Sequence, residues 1–162
     1  GFLERLERGV YRLADKAPMG NPDLVIVGSK IPEARICLVS ALSFHGMTDE
    51  IPHKVHIALP RTSRTPVLDY PPLQVYRFSE ETLNAGIQTE VMDGVHVKVF
   101  NPAKTIADCF KFRNKIGQDI AIEALKRGIS EKKATYGDII KYARLCNVER
   151  VMQPYMEALG HG

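Results

Sequence analysis

Few residues in this chain have the types and spacing that catalysis needs. Gly28-Ser29 is the kind of turn that precedes an Asp-x-Asp pair in nucleotidyltransferases. There, two carboxylates at i and i+2 on a strand project to one side and hold two magnesium ions. The chain contains no Asp-x-Asp, and Asp49-Glu50 are adjacent, so on a strand they point to opposite faces. A nuclease of the Asp…(Glu/Asp)-x-Lys type needs a carboxylate two residues before a lysine. Asp93 is followed by His96-Val97-Lys98, with histidine where the second carboxylate belongs. That set leaves magnesium short of oxygen ligands.

The other reactive side chains are scattered. The histidines are His45, His53, His56, His96 and His161, and none pairs with cysteine at zinc spacing. The three cysteines, Cys37, Cys109 and Cys146, lie far apart in apolar stretches that read as helical, with no C-x-x-C. They read as reduced core thiols. Neither a metal nor another cofactor is expected. Lys104 and Asp108 stand four apart, which predicts an ion pair on a helix surface. The alternative is a buried, functional Asp108 working with Lys104 or Arg113 in a degenerate metal-dependent nuclease or nucleotidyltransferase-like enzyme. Basic residues recur at Arg61 and Arg64, then at Lys104, Lys111, Arg113 and Lys115, then at Lys126, Arg127, Lys132 and Lys133. They form either a surface that touches phosphates or ordinary solvated faces. Lys104, Asp108, Arg113 and Lys115 are the most concentrated candidate functional surface.

The elements that must position these residues follow from patterning. Asn21 reads as the N-cap of a short helix carrying Leu24, Val25 and Val27, with Pro22 at its first position. Pro32-Glu33 reads as the start of a second, all-round apolar helix ending at Gly46. Lys54–Leu59 alternates as a strand, with Val55, Ile57 and Leu59 on one face. A proline-bounded loop over 60–72 carries Arg61 and Arg64, and Leu73–Phe78 is a second strand. A helical turn over 80–85 ends at Gly86. Asp93-Gly94 between alternating runs predicts a hairpin over 88–100. Asn101-Pro102 opens a helix to about Arg113, and a further helix spans 118–127 and stops at Gly128. Thr135-x-x-Asp138 is a capping box for another, and the last covers 148–159 with Pro154 inside. Strands first and helices later, without βαβ alternation, predict an α+β domain. Its small mixed or antiparallel sheet packs with helices, and its C-terminal half is helical. The expected core is Ile36, Leu38, Leu42, Phe44, Val55, Ile57, Val75, Ile106, Phe110, Leu125 and Ile140.

The first thirteen residues read separately, as a β-hairpin with Phe2, Leu6, Val10 and Leu13 apolar, Arg5, Arg8 and Arg12 basic, and Gly9 in the turn. A lone hairpin is marginal in water. Hairpins with basic tips close winged helix-turn-helix domains, where the tip touches DNA backbone. An ordinary hairpin on a sheet edge is the other reading. Residues 14–20 are a linker by composition, and 21–162 form the main domain. The whole chain has 162 residues, 44% hydrophobic and 25% charged, with a net charge of +3. Its isoelectric point is near 8.8. That balance permits nucleic acid without requiring it. With no apolar run of membrane-spanning length and no secretory leader in the sequence, the expectation is a cytoplasmic protein without a membrane partner.

Several separated segments, in order, resemble one family. Ile36-Cys-Leu-Val-Ser-Ala-Leu-Ser-Phe-His-Gly-Met-Thr-Asp-Glu-Ile-Pro-His-Lys-Val-His-Ile-Ala-Leu-Pro60 resembles the AbiEi family of antitoxin-type transcriptional regulators. So do Asp69–Leu73, Asn101–Lys115 and Val148–Met152, and Arg8-Gly-Val-Tyr-Arg-Leu13 is similar to the end of that family's winged helix-turn-helix. The resemblance implies an antitoxin that represses its own operon in a type IV toxin–antitoxin pair, often tied to phage abortive infection. It implies a nucleotidyltransferase-like toxin of the AbiEii kind as functional partner, without requiring direct binding. The polymerase-like chemistry would belong to that partner, consistent with a non-enzymatic reading here. Operator DNA would be bound through the N-terminal winged helix, whose helices before the wing this sequence lacks. Arg5, Arg8 and Arg12 match the wing and are the residues expected to touch DNA; the loop residues Arg61 and Arg64 are added as further candidates.

Overall fold

Local signals set most element ends. The computed structural model describes residues 21–159, which form five strands and eight helices. Residues 1–13, read as a wing, and the linker 14–20 lie outside the described residues, as do Arg5, Arg8, Arg12 and His161. Helix α1 (Pro22–Lys30) starts where the Asn-Pro pair predicts. Its cap differs from expectation: Asn21 is left-handed at φ 69° and its side chain makes no capping bond. Ser79 caps α3 (Glu80–Leu83), Asn101 caps α4 (Pro102–Lys111) and Thr135 caps α7 (Tyr136–Leu145). In each, the side-chain oxygen accepts a backbone N–H three residues on, satisfying a donor the helix leaves free. Strands β4 (Ile87–Met92) and β5 (Val95–Phe100) join through Asp93 at φ 50° and Gly94 at φ 76°. Both angles are positive, as a type I′ hairpin turn requires.

The expected helix from Pro32 is wrong at its start. Residues 32 and 33 turn, Arg35–Ile36 form strand β1, and α2 (Leu38–His45) begins only after the extended Cys37. The reason is tertiary. Ile36 pairs with Ile57 of β2 (Val55–Pro60) on one side and with Val99 of β5 on the other. Two sheet neighbours outweigh local helical propensity. The sheet order is β3-β2-β1-β5-β4, with β3 spanning Leu73–Phe78. β1 runs antiparallel to β2 and parallel to β5, and β2 runs parallel to β3, so the sheet is mixed.

Both faces of the sheet are covered. Leu24, Val27 and Ile31 pack with Ile36, Val55, Ile57, Leu59, Val97 and Val99. The fit is close at Gly28, where a Cβ would stand 2.8 Å from Val97 Cγ2. Gly28-Ser29 therefore lies within α1 and is no turn. The other face sends Ala58, Tyr76, Phe78 and Phe100 into a larger core with Leu38 and Leu42 and with Ile106, Phe110, Leu125, Ile139 and Met152 of the C-terminal helices. Phe44, Val75 and Ile140, expected in the core, are only half-buried. Ile139 takes the place expected of Ile140, and Tyr76 and Phe78 lie on the strand face opposite to the one expected.

Two further boundaries differ from expectation. α4 ends at Lys111 and a separate turn, α5 (Arg113–Ile116), follows. α6 (Gln118–Ser130) runs through Gly128. A Cβ there would stand 2.6 Å from Ile106 Cδ1, so this glycine lets α6 approach α4 closely and ends nothing. Helix α8 (Glu149–Ala158) matches the expected last helix, and Pro154 lies inside it without an N–H for the Arg150 carbonyl. Among the described residues, no helix is long and apolar enough to cross a membrane.

Candidate functional site

Lys104 and Asp108 do pair, with Nζ 2.9 Å from Oδ2, but both side chains are 0% exposed. This corrects the helix-surface expectation. α4 presents Ala103 through Phe110 as one continuously buried stretch, because α2, α6 and α7 pack around it and Phe78 and Phe100 of the sheet close over Lys104. The ammonium is also held over two aromatic faces, 3.6 Å from the Phe100 centroid and 4.9 Å from that of Phe78. The second carboxylate oxygen accepts from Cys146 Sγ at 3.5 Å. Burial pushes the Asp108 carboxyl upward, opposed by Lys104. The Asp108 carboxylate is thus sealed from solvent. Arg113 itself donates to the Phe110 carbonyl at 2.7 Å and closes the end of α4.

The thiols are equally enclosed. Cys37, Cys109 and Cys146 are free and buried. Burial raises the first two well above the ordinary thiol range and the third to about 12, so none is a thiolate near neutral pH. Cys37 and Cys146 sit at helix ends, as the residue before α2 and the residue after α7, rather than within helices. Leu38, at φ 50°, marks a sharp strand-to-helix turn after β1. Its side chain has no reactive atom. Among the described residues, no group of three His, Cys, Asp or Glu side chains could hold a metal ion.

Arg61 and Arg64 lie on the loop between the parallel strands β2 and β3, and both are exposed. That loop is organised by one side chain. Arg77 Nη1 donates to the Pro60 carbonyl, the Ser63 carbonyl and Ser63 Oγ at 2.8–2.9 Å, and Nη2 donates to Thr65 Oγ1 at 2.8 Å. Neither Arg61 nor Arg64 makes an ion pair among the described residues. Beside the loop, Arg35 is fully engaged with the Leu83 and Glu33 carbonyls and Asn84 Oδ1. Arg35 is therefore structural, while the two loop arginines are presented to solvent.

Lys115 belongs to a different place, an open cleft of about 530 Å3 where β2, β3, α2, α5 and the start of α6 meet. Sequence reasoning missed it as a site. The wall is apolar, with Val39, Ile51, Pro52, Ile116 and Ile120. Lys54, Lys115, Glu50, His53 and Gln74 supply its polar lining. Deeper in, His56 stacks on Tyr76, with ring centroids 5.5 Å apart at 16°, and its Nδ1 shares a 2.9 Å hydrogen bond with the Tyr76 hydroxyl. The His56 backbone is held in turn by Ser40 Oγ of α2, which accepts its N–H at 2.8 Å. Burial and the nearby Lys54 lower His56 to about 4, and burial raises Tyr76 to about 12. Both groups are neutral near pH 7. The one available signal was His56 and Tyr76 on neighbouring strands, but their pairing depends on parallel register, with His56 opposite Gln74 and Ala58 opposite Tyr76.

The structure thus separates residues that the sequence grouped. Lys104 and Asp108 are sealed, Arg113 caps a helix, and Lys115 faces the cleft. Compared with known proteins, the chain matches no family model, and no curated protein matches it at a significant level.

Proposed function

We propose that this chain is the antitoxin and autoregulating transcriptional repressor of a type IV toxin–antitoxin operon, acting against a nucleotidyltransferase-like toxin in the cytoplasm. The observation that carries this reading is the basic loop. Among the described residues, Arg61 and Arg64 make no ion pair, and they stand exposed on a segment that Arg77 fixes by four hydrogen bonds. Two arginines on a loop held in this way suit phosphate oxygens, which take bidentate donors. Support also comes from the ordered resemblance to AbiEi regulators, whose quoted segments supply the end of β1, α2, β2, α4 and the start of α8. Operator DNA is then the partner of the loop and of Arg5, Arg8 and Arg12, and the chain performs no chemistry of its own.

The test has two parts. Co-expression of residues 1–162 with the neighbouring toxin gene should restore growth. Binding to operator DNA, followed by fluorescence anisotropy across a salt series, should weaken steeply with salt. The Arg61→Ala/Arg64→Ala double variant should lower the slope of log K against log salt by up to about two, at roughly 0.9 per phosphate contact. A folded chain that neither rescues growth nor binds operator DNA would overturn the proposal.

A further inference from the structure

The cleft at the junction of β2, β3 and α5 has a composition that none of the reading above uses. Its 530 Å3 falls within the usual range for small-molecule pockets, about 300–1,000 Å3. Several of its polar groups are uncommitted among the described residues. Among the described residues, Lys54 and Lys115 make no ion pair, and neither the Gln74 carboxamide nor His56 Nε2 has a hydrogen-bond partner. For Nε2 this matters most, because the ring is half-buried and fixed by Tyr76. An imidazole oriented through one nitrogen offers the other in a set direction.

The charges fix the sign of an occupant. Two lysines face one carboxylate, Glu50, so the lining carries one net positive charge with His56 neutral. An anion is favoured, and lysine ammonium groups are common phosphate binders. A bare phosphate would leave the aliphatic wall of Val39, Ile51, Pro52, Ile116 and Ile120 wet. The cleft holds on the order of ten or more waters at roughly 30 Å3 each, which is space for a larger body. A flat body with a polar edge meets both the aliphatic wall and the two free groups, His56 Nε2 and Gln74.

We infer that this cleft binds a small organic phosphate with a planar heteroaromatic body, of the nucleoside monophosphate class. Its phosphate lies against Lys54 and Lys115, and its ring edge meets His56 and Gln74. The inference does not depend on the antitoxin reading, since binding to the isolated chain and rescue of growth are separate measurements.

Isothermal titration of the 162-residue chain with AMP, adenosine and inorganic phosphate tests it. AMP should bind at least about tenfold tighter than either fragment, and Lys54→Ala and Lys115→Ala should each weaken AMP by about tenfold, or about 1.4 kcal/mol. Both lysines are exposed, so their unfolding midpoints should match the parent. In 15N–1H correlation spectra, AMP should shift the amides of His56, Gln74 and Ile116 and leave those of the Arg61–Thr65 loop in place. Three results would each overturn the inference. These are no AMP binding at millimolar concentration, inorganic phosphate binding as tightly as AMP, and single-stranded oligonucleotide binding through the two lysines while AMP does not bind.

Discussion

Lys104 and Lys115 lie in the same basic stretch of sequence and have opposite fates. Lys104 is fully enclosed, balanced by Asp108 and by two aromatic rings. Lys115 stands exposed at the rim of a cleft with no ion-pair partner among the described residues. A sealed ion pair has its Coulomb energy offset by desolvation, so it specifies packing more than it adds stability. An unpaired lysine on an open rim costs nothing to keep and remains free to meet a ligand. Solvent access, rather than residue type, separates the structural cation from the functional candidate.

The largest expected effect is at the sealed pair. Lys104→Met leaves Asp108 buried without its cation and should cost about 3–5 kcal/mol by chemical denaturation. The Lys104→Met/Asp108→Leu double variant removes both charges and should recover most of that loss, or exceed the parent. If the double variant were as unstable as the sum of its singles, the two residues would not act as a pair, and the contrast with Lys115 would fail.

A smaller effect tests how tightly the pair is enclosed. Gly86 has φ +76°, and a Cβ there would stand 2.6 Å from Lys104 Cβ. Gly86→Ala therefore adds overpacking to backbone strain and should cost about 1–3 kcal/mol. Gly94 shares φ +76° but has nothing within 4 Å, so Gly94→Ala should show only the strain, about 1 kcal/mol. Equal midpoints for the two variants would mean that the wall around Lys104 yields easily.

The cleft has its own signature in pH. His56 in the folded protein titrates at about 4, below its usual 6.5. Between these values the unfolded chain binds a proton that the folded chain refuses, so stability falls as pH drops from about 6.5 toward 4. His45, also lowered by burial, adds in the same direction. His56→Asn should remove about 1–3 kcal/mol of this acid sensitivity while leaving stability at pH 8 less affected. An unchanged pH profile would place His56 in water and deny the cleft its ordered floor.

Legibility followed the range of the interactions. The Asn101 and Thr135 caps and the Asp93-Gly94 turn close hydrogen bonds or set backbone angles within a few residues. Side-chain alternation likewise placed Val55, Ile57 and Leu59 on one face. The same reasoning failed at Pro32-Glu33, where β1 exists only because Ala58 and Lys98 flank Arg35. It failed at Gly128, which resembles a helix stop and instead admits Ile106. It singled out Lys115 and the loop arginines as candidates, but neither the cleft that Lys115 lines nor the His56–Tyr76 pair, whose two residues meet across strands.

The sequence by itself determined an α+β chain, its Asn101 and Thr135 caps, its hairpin turn and the uneven placement of its basic residues. Those features depend on torsional preference and on partners a few residues away. Only the tertiary structure decided that Lys104 and Asp108 are enclosed, that Arg77 holds the loop of Arg61 and Arg64, and that Lys54, His56, Tyr76 and Lys115 share a cleft. Burial and cross-strand contact are properties of elements brought together through space, and no local spacing encodes which face of a helix the sheet will cover.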